Sequence, residues 1–209
     1  MRSRDRSRDS QARQTLAREA ARVMCEGGIR DFALAKRKAL ERLRLPARTP
    51  LPRNDEIEQA LLEHQRLFGG AEQARGLHDL RAAAVAAMRE LAGFNPRLVG
   101  PVLSGSADRN CVVCLHLFAE AAEEVGWRLM DLGIPYRDTE QRLRMSTGGI
   151  ERVPGFAFVA AGIRVELLVF SGRTRRHTPL CPVDGKAMRR AALAEVRDLL
   201  AGAPGFQPG

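Results

Sequence analysis

Two short apolar runs limit what this chain can become. Residues 111–118 read CVVCLHLF and residues 163–170 read IRVELLVF. Runs of this length, rich in valine and leucine and bounded by turn residues, spell β-strands. Successive side chains of a strand take opposite faces, so Val112, Cys114 and His116 point one way and Cys111, Val113, Leu115 and Leu117 the other. The apolar set predicts a core face, and the other row is what a ligand in a crevice would meet. A strand beginning at Pro101 is expected before the first run, ended by a Gly105-Ser106 turn. A glycine followed by a hydroxyl leaves backbone N–H groups open to phosphate oxygens.

The remaining pattern is helical before the sheet and mixed within it. The opening MRSRDRSRDS has no apolar residue after the methionine, so residues 1–10 are expected to be a disordered basic arm. Residues 11–70 read as a basic helical segment. Its first helix is stopped by Gly27-Gly28, the second is capped by Asp31 and runs to about Leu43, and the third is capped by Asn54 and ends at Gly69-Gly70. Pro46, Pro50 and Pro52 force an extended connector between the last two. A fourth helix is predicted over residues 71–92, with Leu77, Leu80, Ala84, Met88 and Leu91 on one side. Beyond the two apolar runs the spacing predicts a helix over 119–132, a polar edge strand over 134–145, a hairpin of 156–160 with 163–170 across Ala161-Gly162, a last helix over 187–201 and a loose tail, 203–209. The fold class is therefore α/β: a helical N-terminal segment followed by a mixed β-sheet with flanking helices.

Charge and cysteines narrow the setting. Residues 1–50 hold 14 Lys and Arg against 6 Asp and Glu, a net of +8 out of +9 for the whole chain. The basicity belongs to the N-terminal segment, and nucleic acid is the partner it would attract there. Four scattered cysteines make no disulfide framework, and no stretch approaches the roughly 18 apolar residues of a membrane span. A cytoplasmic protein with reduced thiols and no membrane association is expected.

The order of elements resembles the nucleotidyltransferase superfamily, the polymerase-beta-like fold. The residues that carry the resemblance are the Gly105-Ser106 turn, the strand after it, and the later apolar strand entered from Gly162 with Glu166 in it; together they lie within residues 77–170. The whole chain also resembles an uncharacterised bacterial family of the same layout. The resemblance implies a nucleotidyltransferase-like domain over 71–202, nucleotide binding at Gly105 and Ser106, and Glu166 as a metal ligand. It also implies two carboxylates, one residue apart, on the strand after the turn. Val112 and Cys114 stand at those positions, so two of the three implied acids are missing.

That departure governs the chemistry. Three convergent acids hold two divalent ions in such a site, and Mg²⁺ requires oxygen ligands. Valine offers none and a thiol is too soft. The site is read as catalytically degenerate, binding a nucleotide, a nucleic acid or a protein partner. The alternatives are an active Mg²⁺-dependent nucleotidyltransferase with ligands elsewhere, and a nucleic-acid-binding regulator that uses the basic helices. Asp108 is a further candidate oxygen ligand near the turn. Cys114 and His116 share a strand face with Glu166 within reach, which makes a soft-metal or thiol–imidazole site a third chemistry. Glu166 is otherwise expected to form an ion pair with Arg164, which shares its strand face, or with another nearby arginine. Cys111 and Cys114 are spaced as C-x-x-C, but a separation of three puts them on opposite faces of a strand. Asp184-Gly185-Lys186 lacks the upstream glycine of a P-loop.

Overall fold

The computed structural model describes residues 2–27, 29, 31–46, 48–68, 70–172 and 174–202, with side chains from Ser10 onward. The chain divides into two units, Met1–Gly70 with Pro182–Asp184, and Ala71–Cys181 with Gly185–Gly209.

The first unit is three helices, α1 (Arg2–Gly27), α2 (Phe32–Arg42) and α3 (Asn54–Phe68). Alanines let these helices approach closely: Ala17, Ala20 and Ala21 of α1 bury against Ala35 and Ala39 of α2, with Leu16, Ile57 and Leu61 filling the space between. Fully burying each of the larger side chains contributes about 1.5–3 kcal/mol. Asp31 caps α2 as expected, its Oδ1 accepting the N–H groups of Ala33 and Leu34 at 2.7 and 3.0 Å. Asn54 does not cap α3. Its side chain accepts from Lys36 Nζ at 2.7 Å and donates to the Pro182 carbonyl at 2.8 Å, while Glu56 takes the Arg53 N–H at 2.7 Å. The stretch expected to be a disordered arm is helical from Arg2. No Gly or Pro interrupts residues 2–26, and extending a helix already nucleated costs far less than starting one. Gly28 and Gly69, expected as stops, and the tail 203–209 lie outside the described residues.

The second unit is a five-stranded mixed sheet with helices on one face. Its elements are α4 (Gly70–Glu90), β1 (Arg97–Val99), α5 (Pro101–Ser104), β2 (Val113–Phe118), α6 (Ala122–Asp131), β3 (Tyr136–Arg144), β4 (Ile150–Ala160), β5 (Ile163–Phe170) and α7 (Leu193–Ala201). The strand order is β1-β2-β5-β4-β3. Only β2 and β5 run parallel, and the other neighbouring pairs are antiparallel. Val113, Leu115 and Leu117 of β2 and Val165, Leu167 and Val169 of β5 turn to one face. There they meet Leu80, Ala84 and Met88 of α4, Val125 and Leu129 of α6 and Val196 of α7.

Several expected boundaries move. Residues 101–104 are a helical turn, not a strand, because Gly100 takes φ 72° and Pro101 then opens α5; the strand is β1, just before it. β4 begins at Ile150, with Pro154 inside it opposite Glu140. The last helix begins only at Leu193, since Ala191 is extended and exchanges both its backbone bonds with Leu98 at 2.9 Å. The hairpin turn sits at Ala161-Gly162 with φ of 49° and 78°, the left-handed pair that suits a two-residue connection.

Gly155 marks the tightest point of the sheet. A Cβ there would run into the Leu167 carbonyl oxygen and stand 3.0 Å from Thr139 Oγ1. Backbone cannot swing aside as a side-chain end can. Gly155→Ala is therefore expected to destabilise the second unit by about 1–3 kcal/mol, measured as a lowered urea midpoint with an unchanged slope.

Candidate functional site

The register of β2 on β5 builds the site. Cys114 lies directly opposite Glu166, and His116 opposite Leu168. Across β1, Val99 faces Cys114 and Arg97 faces His116. Since side chains alternate, Arg97, Cys114, His116 and Glu166 all stand on the sheet face turned away from α4, α6 and α7.

Glu166 is half-buried between Cys114 and the small Ala157. Its one partner among the described residues is the Cys114 thiol, which donates to Oε2 across 3.8 Å. The expected pair with Arg164 does not form. Arg164 donates instead to the Asn110 carbonyl at 2.9 Å, and Glu166 keeps enough exposure for water to satisfy it. Asp108 Oδ1 accepts the Asn110 N–H at 2.7 Å, closing a local turn. Val112 lies one residue before β2. Among the described residues, no three His, Cys, Asp or Glu side chains converge as a metal-binding group. A two-ion Mg²⁺ site does not fit this donor set: Glu166 supplies oxygens, Cys114 sulfur and Val112 nothing.

The Gly105-Ser106 turn is tighter than the open cradle expected of it. Gly105 takes φ 90°, and its N–H and that of Ala107 both donate to the Pro101 carbonyl, at 2.9 and 3.2 Å. The Ser106 hydroxyl shares a hydrogen bond with Ser104 Oγ at 2.9 Å, and the residue is 8% exposed. The short helix α5 consumes these donors; a strand in its place would have left them open. Beneath the turn lies Arg81 of α4, which is buried. Its Nε and Nη1 donate to the carbonyls of Val102 and Leu199, each at 3.3 Å, and its Nη2 stands 3.7 Å from where a Cβ on Gly105 would be. Arg81 thus ties the turn to the end of α7.

His116 carries the largest electrostatic displacement on this face. It is 1% exposed, its ring lies 4.6 Å from that of Phe170, and its Nδ1 accepts from Arg190 Nε at 3.1 Å. Accepting at Nδ1 puts the single imidazole proton on Nε2. Burial, helped by the Arg190 charge, pushes its pKa down from 6.5 to about 3. A neutral ring already engaged by arginine is neither a poised base nor a partner for the Cys114 thiol. The thiol–imidazole chemistry therefore has no support in the geometry. Cys111 is buried and Cys114 half-buried, neither is in a disulfide, and the C-x-x-C spacing brings them to no shared ligand position.

Sequence reading missed Arg97, Arg190 and Arg81. Arg97 opens a three-residue strand, too short to show a period, and Arg190 falls in an Ala- and Arg-rich stretch that mimics a helix.

In the first unit several of the basic residues are engaged. Arg13 pairs with Glu56 at 3.4 Å, and Arg22 with Glu19 and Glu26 at 3.0 and 3.6 Å. Arg42 pairs with the same two acids, at 3.5 and 2.8 Å. Of the basic triplet in α2, Arg37 and Lys38 are exposed while Lys36 is held by Asn54.

Compared with known proteins, the chain matches no family model and no curated protein sequence. Among the described residues no helix is long and apolar enough to cross a membrane.

His116 predicts an acid dependence. Its folded-state pKa of about 3 lies below the unfolded value of 6.5, so the unfolded chain takes up the proton first. The stability that this neutral ring contributes is present above about pH 6.5 and is lost as pH falls toward about 3. Between about pH 7 and pH 5 the loss should be on the order of 2 kcal/mol. His116→Asn keeps an acceptor for Arg190 without a titrating ring and should flatten that limb of the urea-stability profile.

Proposed function

We propose that this chain is a nucleotidyltransferase-like protein that binds a nucleotide without turning it over. What supports the reading is one observation: β2 and β5 lie side by side in parallel, with Cys114 in register with Glu166 on the face away from the helices. That is the placement the resemblance requires of its second and third acidic elements. The same pair argues against turnover. A single carboxylate beside a thiol supplies too few oxygens for two divalent ions to position a triphosphate and stabilise its leaving group.

The test restores the acids. Val112→Asp with Cys114→Asp sets three carboxylates along one crevice, where like charges repel; the double variant should lose stability without metal and regain it with millimolar Mn²⁺. Thermal unfolding of the natural chain should not respond to the metal. A gain of several degrees by the natural chain would overturn the degenerate reading and favour the metal-dependent enzyme instead, and no response by either protein would remove the family reading. Nucleotide binding is read separately, by calorimetry with ATP in the presence of a chelator. Saturable binding is expected. Binding only to a nucleic-acid duplex, with a steep log–log salt slope and loss on deleting residues 1–50, would assign function to the basic helices.

A further inference from the structure

The segment after β5 bridges the sheet from edge to edge. At one side Ser146 donates to the Thr178 carbonyl at 2.9 Å and Leu180 to the Arg144 carbonyl at 2.7 Å, where β3 ends. At the other side Ala191 pairs with Leu98 of β1. Just before that pairing, Arg190 reaches over the face that carries His116. Its guanidinium carbon lies 4.7 Å from the Phe170 ring centroid and 5.1 Å from that of Phe118, and its Nε is fixed on His116 Nδ1.

This is an arginine held rigidly and left uncompensated. Two aromatic faces and a neutral imidazole orient the guanidinium but carry no negative charge to balance it. Among the described residues no carboxylate pairs with Arg190 or with Arg97. Nη2 of Arg190 is buried with no hydrogen-bond partner. Arg97, opposite His116 in the sheet, adds a second positive charge close enough to disfavour the first. Both side chains nevertheless keep part of their surface in solvent. Placing two like charges together on a half-buried surface is unfavourable unless an anion joins them. A pre-oriented guanidinium suits a phosphoryl oxygen, and being already ordered it loses little entropy on binding.

We propose that Arg97 and Arg190 form a binding site for a phosphoryl anion, on the face and at the level of His116. The inference goes beyond the nucleotide reading, because it uses none of the positions that carry the family resemblance and requires only that the ligand present phosphate oxygens.

Titration calorimetry of the full chain with pyrophosphate, at ionic strength held constant with chloride, tests it. Saturable binding at one site is expected. Arg97→Gln should weaken it about tenfold or more, the loss of one charge-assisted contact, while Arg197→Gln on the exposed surface of α7 should leave it unchanged. Arg190→Gln should abolish it. If that variant fails to fold, Arg97→Gln carries the test alone, since Arg97 bonds no other side chain among the described residues. Adenosine should not bind. ATP binding more tightly than pyrophosphate would identify the phosphate as part of a nucleotide, and equal affinity would identify a site for the anion itself; both keep the proposal. No saturable pyrophosphate binding, or natural affinity retained in Arg97→Gln, overturns it. Pyrophosphate binding alongside failure of the Val112→Asp, Cys114→Asp variant to respond to Mn²⁺ would leave this site standing and remove the family reading.

Discussion

The parallel pairing of β2 with β5 is the constraint on which the second unit depends. Six consecutive residues of each strand are in register, from Val113 opposite Val165 to Phe118 opposite Phe170. The row of Val113, Leu115, Leu117, Val165, Leu167 and Val169 has almost no exposure. A slip of one residue would turn Glu166 and His116 into that row and the leucines out of it. Burial therefore sets the register, and the register sets every relation on the other face. Parallel neighbours also need a crossover between them, and here the chain places α6, β3 and β4 in that interval.

The opposite face has a divided character along β2. At Cys114 it is half-open, polar and acidic through Glu166; two residues on, at His116, it is closed, aromatic and cationic through Arg190. The division follows from what lies opposite each residue. Cys114 has an acid beside it and Ala157 beyond, which cover little, whereas His116 has Leu168 beside it and a crossing segment over it. A histidine in the first position would be wet and titratable near neutrality. In the second it is desolvated, and its imidazole serves as a hydrogen-bond acceptor that orients arginine.

Much of this was legible in residue order because it rests on local periodicity. The alternation through residues 111–118 placed Cys114 and His116 together and Cys111 apart, and Ala161-Gly162 marked the hairpin. Asp31 declared its helix because capping is a contact within three residues. What was not legible depends on distant partners. Nothing near Pro101 announces that its carbonyl will take the N–H groups of Gly105 and Ala107, and an apolar PVL reads as strand until the left-handed Gly100 turns it into a helix. Residues 187–191 have helical composition, yet pairing of Ala191 with Leu98 draws them out straight. Arg164 stands two residues from Glu166 on the same strand and was the natural partner by spacing, but a carbonyl more than fifty residues away claimed it.

The sheet's two margins are finished differently, and this bears on how the chain behaves when crowded. At the β1 margin the three-residue strand is capped by Ala191, so little unpaired backbone is left there to template another chain. The β3 margin is nine residues long and lies outermost, but it displays Arg137, Asp138, Glu140, Arg142 and Arg144 to solvent. A second copy approaching edge-on would have to strip water from these charges before any ladder bond formed. Cross-β stacking through this sheet is thus discouraged at both ends, at one by occupancy and at the other by charge.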